Sequence, residues 1–192
     1  TVKGDLIIGD GVGNGDVTLD NVIVTGRMIV RGGGVNSIII RGNSSVGEVV
    51  VSKVDGNVRI AVEGGANVEI VYINDGKDDV IVEGSVDKLV IDAPSVPVTI
   101  KGGTVGEVSV NSNNATVMVD KTATVTSMTA SGSEPTLTVQ GTVKTLTATA
   151  GATGATIEVA KGGALIPLMR ARPAQQLAAK AALKMQMSPE IM

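Results

Sequence analysis

Residues 15–40 read GDVTLDNVIVTGRMIVRGGGVNSIII, and the architecture of the chain follows from the pattern in this stretch. Short apolar-x-apolar triplets alternate here with turns of glycine, asparagine and aspartate. Because successive side chains of a strand point to opposite faces, the first and third residues of a triplet face one way and the middle residue faces the other. The stretch therefore predicts short strands that bury one face and are separated by tight corners.

The same triplets recur through residues 5–160 with a period near 20 residues. One series begins at Met28, Val49, Val68, Leu89, Val108, Met128 and Leu146, and a second at Val17, Ile38, Val58, Val80, Val98, Val117, Leu137 and Ile157. A unit of this size cannot bury its own apolar face, so neighbouring units must stack. We predict an all-β fold, a single right-handed parallel β-helix over residues 1–162, with about seven or eight coils.

Composition agrees with a narrow, aliphatic lumen. Tyr72 is the single aromatic residue among 192, while 43% of the residues are hydrophobic. A β-sandwich would need hairpins in place of the regular period. A leucine-rich repeat would need a helical segment in each unit. Neither alternative matches the pattern.

Several function classes are excluded or disfavoured by composition. The chain has no His and no Cys, which excludes thiolate or Ser–His–Asp catalysis and the usual zinc sites. A net charge of −3 provides no broad basic field, so we expect no nucleic-acid partner. No apolar run is long enough for a transmembrane segment. Because the chain starts at Thr1, we expect that it is processed or part of a longer protein.

The last 30 residues differ from the rest. Residues 163–192 carry a net charge of +3, so residues 1–162 carry −6. The segment 174–187 (AQQLAAKAALKMQM) consists of strong helix formers and predicts a short α-helical tail. Such a helix could cap the open end of the β-helix, exchange with a neighbouring chain or serve as a linker. Leu177 and Met185 are its candidate contact residues.

Two groups of residues on the β-helix are candidate sites. Asp75, Asp78 and Asp79 lie in the turn NDGKDD, where clustered carboxylates could hold calcium, although their spacing matches no defined calcium loop. No other cofactor is expected. Ile29, Val50 and Val90 occupy outward positions of the first series and form a candidate interface. No pair of carboxylates faces a common cleft as glycoside hydrolysis requires, so we do not expect an enzyme.

The stretch 15–40, together with the later units GEVVVS (47–52), DKLVID (87–92) and GEVSVN (106–111), resembles the β-helical repeat region of Firmicutes cell-surface proteins that often carry S-layer homology modules. The resemblance covers about residues 1–162 and implies an exported, wall-associated structural or adhesive segment without catalytic residues. The module that anchors such proteins has no counterpart in this sequence.

From these features we expect a structural, display or adhesion module on the bacterial surface, with cell-wall or surface polymers and further copies of the chain as partners. One alternative is a self-assembling scaffold similar to the bactofilins, which are cytoplasmic β-helical filament proteins. Another is a β-helix that binds or cleaves carbohydrate.

Overall fold

The computed structural model describes residues 1–165 and the backbone of Lys184–Met185. The described chain is a parallel β-solenoid of about eight coils with roughly 20 residues each, which confirms the predicted fold class. Apart from one short 3₁₀ turn at Asp10–Val12, its regular elements are strands. Successive strands alternate between two sheets, and every strand pairs in parallel with the strand of the next coil.

The first sheet contains the longest strands of the solenoid. Its strands are β1 (Leu6–Ile8), β3 (Ile23–Val30), β5 (Ser45–Val51), β7 (Asn67–Ile73), β9 (Val86–Ile91), β11 (Thr104–Val110), β13 (Thr124–Ala130), β15 (Thr142–Val143), β16 (Leu146–Ala148) and β18 (Ala164–Leu165). There are six to eight residues in each of β3, β5, β7, β9, β11 and β13. β15 and β16 both pair with β13, because a break divides that coil's strand into two pieces.

The strands of the second sheet are shorter. They are β2 (Thr18–Asp20), β4 (Ile39–Arg41), β6 (Val58–Val62), β8 (Val80–Glu83), β10 (Pro97–Lys101), β12 (Thr116–Val119), β14 (Thr136–Val139), β17 (Thr156–Val159) and β19 (Lys184–Met185). Both sheets keep one register through most of the stack, so equivalent residues of successive coils form columns parallel to the solenoid axis.

The lumen is filled by these columns of aliphatic side chains. In the first sheet the central column is buried throughout and consists of Met28, Val49, Val71, Leu89, Val108, Met128 and Leu146. In the second sheet, Val58, Val80, Val98, Val117, Leu137 and Ile157 form a similar column. Valine, isoleucine and leucine suit this space because β-branched and aliphatic residues pack well on pleated surfaces.

Two members of the predicted series are wrong by a few residues. Val68 pairs with Val46 near the start of β5, and Val71 pairs with Val49, at the level that the prediction assigned to Val68. In the second sheet, Ile39 pairs with Ala61. Ile38 therefore lies level with Ile60, two residues after Val58, which the prediction had placed at this level. The cause is similar in both places, because β6 contains two overlapping apolar triplets and β7 contains two consecutive ones. Only the strand pairing selects between them.

The end of the solenoid also differs from the prediction. β18 pairs with β15, so the sheet continues to Leu165, past the predicted boundary at residue 162. Most of the predicted helix over 174–187, including Leu177, lies outside the described residues. The two residues of it that are described, Lys184 and Met185, form a strand parallel to β17 and not a helix.

Candidate functional site

An unbroken apolar row lies on the outer face of the first sheet. Strand pairing places five outward side chains directly above one another, and we call them the apolar row: Ile7, Ile29, Val50, Tyr72 and Val90. Sequence reasoning found Ile29, Val50 and Val90 but placed Glu69 between them, because it took Val68 for Val71. At a strand spacing of about 4.8 Å the row is about 19 Å long.

The apolar row is partly accessible to solvent. Ile7 is 58% exposed, and the other four side chains are half-buried between their neighbours along the sheet. Further along the same line the outward residues become polar, with Ser109, Thr129 and Thr147. The apolar character is therefore confined to the first five coils.

Polar groups border the apolar row and link one coil to the next. Asp5 pairs with Arg27 at 3.0 Å, and Lys88 pairs with Glu107 at 3.0 Å. The backbone amide and then the guanidinium of Arg27 lower the pKa of Asp5, and the Lys88 ammonium lowers the pKa of Glu107. Because these pairs are exposed to solvent, they contribute little stability, and we assign them to the solvated border of the row.

The Tyr72 hydroxyl connects the apolar row to polar side chains on its other side. Its hydroxyl donates a hydrogen bond of 2.6 Å to Asp92 Oδ2 in the next coil, and this bond raises the pKa of the phenol. Asp92 Oδ1 in turn accepts a hydrogen bond of 2.8 Å from Asn111. Sequence reasoning placed Tyr72 beside the acidic turn at residues 74–79, but the polar contact of Tyr72 is with Asp92 in the next coil.

Two of the three aspartates proposed for calcium accept hydrogen bonds from backbone amides. Asp78 Oδ2 accepts a hydrogen bond of 2.5 Å from the Gly56 amide, and Asp75 Oδ1 accepts one of 2.8 Å from the amide of Gly76. The amide of Asp79 donates to the side chain of Asn57 at 3.2 Å. Within residues 1–165, no three acidic side chains come close enough together to hold a metal ion.

A buried lysine that sequence reasoning missed lies next to this turn. Lys53 is only 6% exposed, and its ammonium group donates three hydrogen bonds. They go to Asn14 Oδ1 at 2.8 Å, to the Gly33 carbonyl at 2.7 Å and to the Asn57 carbonyl at 3.0 Å. All three protons are therefore satisfied, as the burial of a charged group requires.

The surroundings of Lys53 combine burial with a nearby opening to solvent. Burial lowers the pKa of its ammonium, while the charges of Asp78 and Asp55 act in the opposite direction. Beside it lies a shallow depression of about 360 Å³, whose walls include Asn14, Gly56 and Asp78. An amine, a carboxamide and a carboxylate thus meet at one corner of the solenoid.

Strand alternation was the signal that could have identified Lys53. Val49 and Val51 point into the lumen, and Lys53 follows them at the same two-residue spacing. The same corner holds small buried residues in later coils, Ala93 and Ser112. A lysine at an inward position needs acceptors, and glycine- and asparagine-rich corners provide them.

The described part of the chain has no helix long and apolar enough to cross a bilayer.

The described residues offer two features with chemical or binding potential, namely the apolar row and the Lys53 corner. Comparisons of this chain with protein-family models, curated proteins and solved structures give no match.

Proposed function

We propose that this protein is a non-enzymatic structural module, a stiff solenoid that holds whatever is attached to it at a fixed distance. The observation that carries the proposal is the uninterrupted stack of paired strands over an aliphatic lumen. Each coil is hydrogen-bonded to the next coil through both sheets. Bending the solenoid would therefore have to break hydrogen bonds between strands in one sheet or open the packed core. Stiffness of this kind suits a spacer or a display platform.

We place this module on the bacterial surface. Support comes from the resemblance of residues 15–40 to the repeat regions of Firmicutes surface proteins. Cell-wall or surface polymers are the proposed adhesive partners. Protease treatment of intact cells that produce the chain should release it, whereas protection from the protease would contradict a surface location.

The stiffness can be measured directly, because the chain has no Cys that would take up a label. Spin labels on the full-length double variant Thr18→Cys/Glu158→Cys would sit on exposed positions of β2 and β17. Seven strand spacings separate these strands, so we expect one narrow distance distribution near 34 Å, that is about seven times 4.8 Å. Pulsed electron paramagnetic resonance measures this distribution.

The control for this measurement is the same doubly labelled protein in concentrated urea, where the distribution should broaden and shift to longer distances. A distribution in native buffer as broad as the one in urea would contradict a rigid spacer. In a second double variant, Thr18→Cys/Thr138→Cys, the second label lies one coil closer to the first. The distance between the labels should therefore be shorter by about one strand spacing.

Self-assembly is the second candidate function, and the apolar row favours it. Alone, a row five residues long falls well short of the roughly 800 Å² per partner that a standard interface buries. A dimer through this face would therefore be weak and concentration-dependent.

The variant Val50→Lys tests this second function. Under this hypothesis, the sedimentation coefficient of the wild-type chain rises with concentration, and Val50→Lys removes the rise because it places a charge in the middle of the contact. Thr138→Lys, on the outer face of the other sheet, is the matched control and should behave as wild type. A wild-type chain that stays monomeric throughout the concentration series would rule out assembly through the row.

A further inference from the structure

We propose that Lys53 and Asn14 are the two partners of an intramolecular isopeptide bond, formed between Lys53 Nζ and Asn14 Cγ with release of ammonia. The inference concerns a covalent modification and does not depend on what the solenoid carries. It rests on the contact between an internal amine and a carboxamide from a different coil, 2.8 Å between Nζ and Oδ1.

The hydrogen bonds of Lys53 orient its amine for attack on this carboxamide. A neutral amine keeps two N–H donors and one lone pair. The carbonyls of Gly33 and Asn57, at 2.7 Å and 3.0 Å, accept the two donors, and the remaining direction points to Asn14. Holding the two reacting groups in contact in this way removes most of the entropic barrier of a reaction between separate molecules.

Burial also favours the nucleophilic form of the amine. Desolvation lowers the pKa of Lys53, which increases the neutral fraction at a given pH, although Asp78 and Asp55 oppose this effect. Desolvation is one of the recognised ways in which proteins activate a lysine nucleophile. The lysine side chain is nearly inaccessible, so few other electrophiles can reach it.

Asp78 and Gly56 complete the arrangement. Asp78 shares the wall of the depression with Asn14, and of the two carboxylates that act on Lys53 it has the larger effect. In the proposed reaction its carboxylate carries a proton from the amine to the leaving group. Gly56 leaves room for the reacting groups, because a Cβ there would lie 3.0 Å from both Asn14 Oδ1 and Lys53 Nζ. Asn14 is exposed on its other side, and ammonia can leave into solvent.

The reaction needs no oxidant, reductant or added group. The ammonium of Lys53 first loses one proton to solvent, and the lone pair of Nζ then forms a bond to Cγ of Asn14. The bond from Cγ to Nδ2 breaks, and the second proton of Nζ passes through Asp78 to Nδ2, which leaves as ammonia. The products are one secondary amide and one ammonia, so atoms and charge balance.

The bond would lock the first coil of the solenoid. Asn14 lies in the first coil, and Lys53 follows it by 39 residues, so the cross-link would close the chain around the first two coils. Terminal units of a stacked repeat have a neighbour on one side only and open most easily. A covalent link from the first coil to the third would prevent this opening.

Intact-mass spectrometry of the full-length chain tests the proposal. The folded, aged protein should weigh about 17 Da less than its sequence requires, the mass of one ammonia. Peptide mapping should recover one branched peptide that joins the segments around residues 14 and 53. The variants Lys53→Met and Asn14→Ala should keep their full mass, while Lys88→Met, which removes an exposed lysine, should still show the loss.

Two results would overturn the proposal. One is a wild-type chain at full mass after prolonged incubation, with circular dichroism verifying that it is folded. The other is a gain of about 1 Da at Asn14, which would mean that this carboxamide is hydrolysed, through a cyclic imide with the backbone nitrogen of Gly15, and does not react with Lys53. If Lys53→Met does not fold, Asp78→Asn serves instead, because it keeps the lysine and should slow the mass loss at least tenfold.

Discussion

Alanine in place of Gly84 is expected to destabilise the solenoid by about 3 kcal/mol or more. Gly84 follows β8 and has a φ of +99°, which costs a residue with a side chain about 1–3 kcal/mol. In addition, a Cβ at this position would lie 2.1 Å from the carbonyl oxygen of Val62 in the preceding coil. Because that oxygen belongs to the backbone, relief requires the coils to shift, and overpacking of this kind typically costs about 1–3 kcal/mol.

Urea denaturation followed by far-ultraviolet circular dichroism measures this effect. Gly47→Ala is the matched control, because Gly47 lies inside β5 without a positive φ, and a Cβ added there would meet no atom within 4 Å. We expect its free energy of unfolding to stay the same or rise by up to about 1 kcal/mol, since alanine reduces the entropy of the unfolded chain. Equal effects at the two positions would show that the corners are not closely stacked.

Leu89→Ala should produce the second large effect, a loss of about 2–5 kcal/mol in the free energy of unfolding. Leu89 is fully buried in β9, and strand pairing places it between Val71 and Val108 of the adjacent coils. The coils above and below are tied to β9 by backbone hydrogen bonds and cannot collapse into the space. The cavity therefore persists, and its cost adds to the lost burial of the side chain.

Val90→Ala is the natural control for this substitution. Val90 is the next residue of the same strand but points outward and is half-buried in the apolar row. Val90→Ala should lower the free energy of unfolding by less than about 1 kcal/mol, because surface substitutions away from special features have small effects. Similar urea midpoints for Leu89→Ala and Val90→Ala would contradict the assignment of inward and outward faces in β9.

The Lys53 corner and the lumen contribute to the rod in different ways. The lumen stabilises every coil against its neighbours through apolar burial, which is spread over the whole stack. Lys53 acts locally, since its three hydrogen bonds link residues of the first three coils. Its loss, with or without the covalent bond, should therefore affect the N-terminal end far more than the C-terminal coils.

The acidic turn at residues 74–79 illustrates why side-chain chemistry was harder to predict than the fold. Three carboxylates within five residues suggested a cation site, since their charges must be neutralised or solvated. In the structure, two of them accept backbone N–H groups at the corner. Local spacing cannot distinguish a cation ligand from a corner acceptor, because both roles use the same carboxylate oxygens.

The period, the parallel stack and the aliphatic lumen could all be predicted from the amino-acid sequence. These depend on which residues alternate and how often the pattern returns, and both are local properties of the chain. The register came from strand pairing between coils, because consecutive triplets such as those at Val68 and Val71 fit the pattern equally well until the neighbouring coil pairs with one of them. The complete apolar row and the contact of Lys53 with Asn14 follow from that register, since each joins residues that a whole coil or more of chain separates.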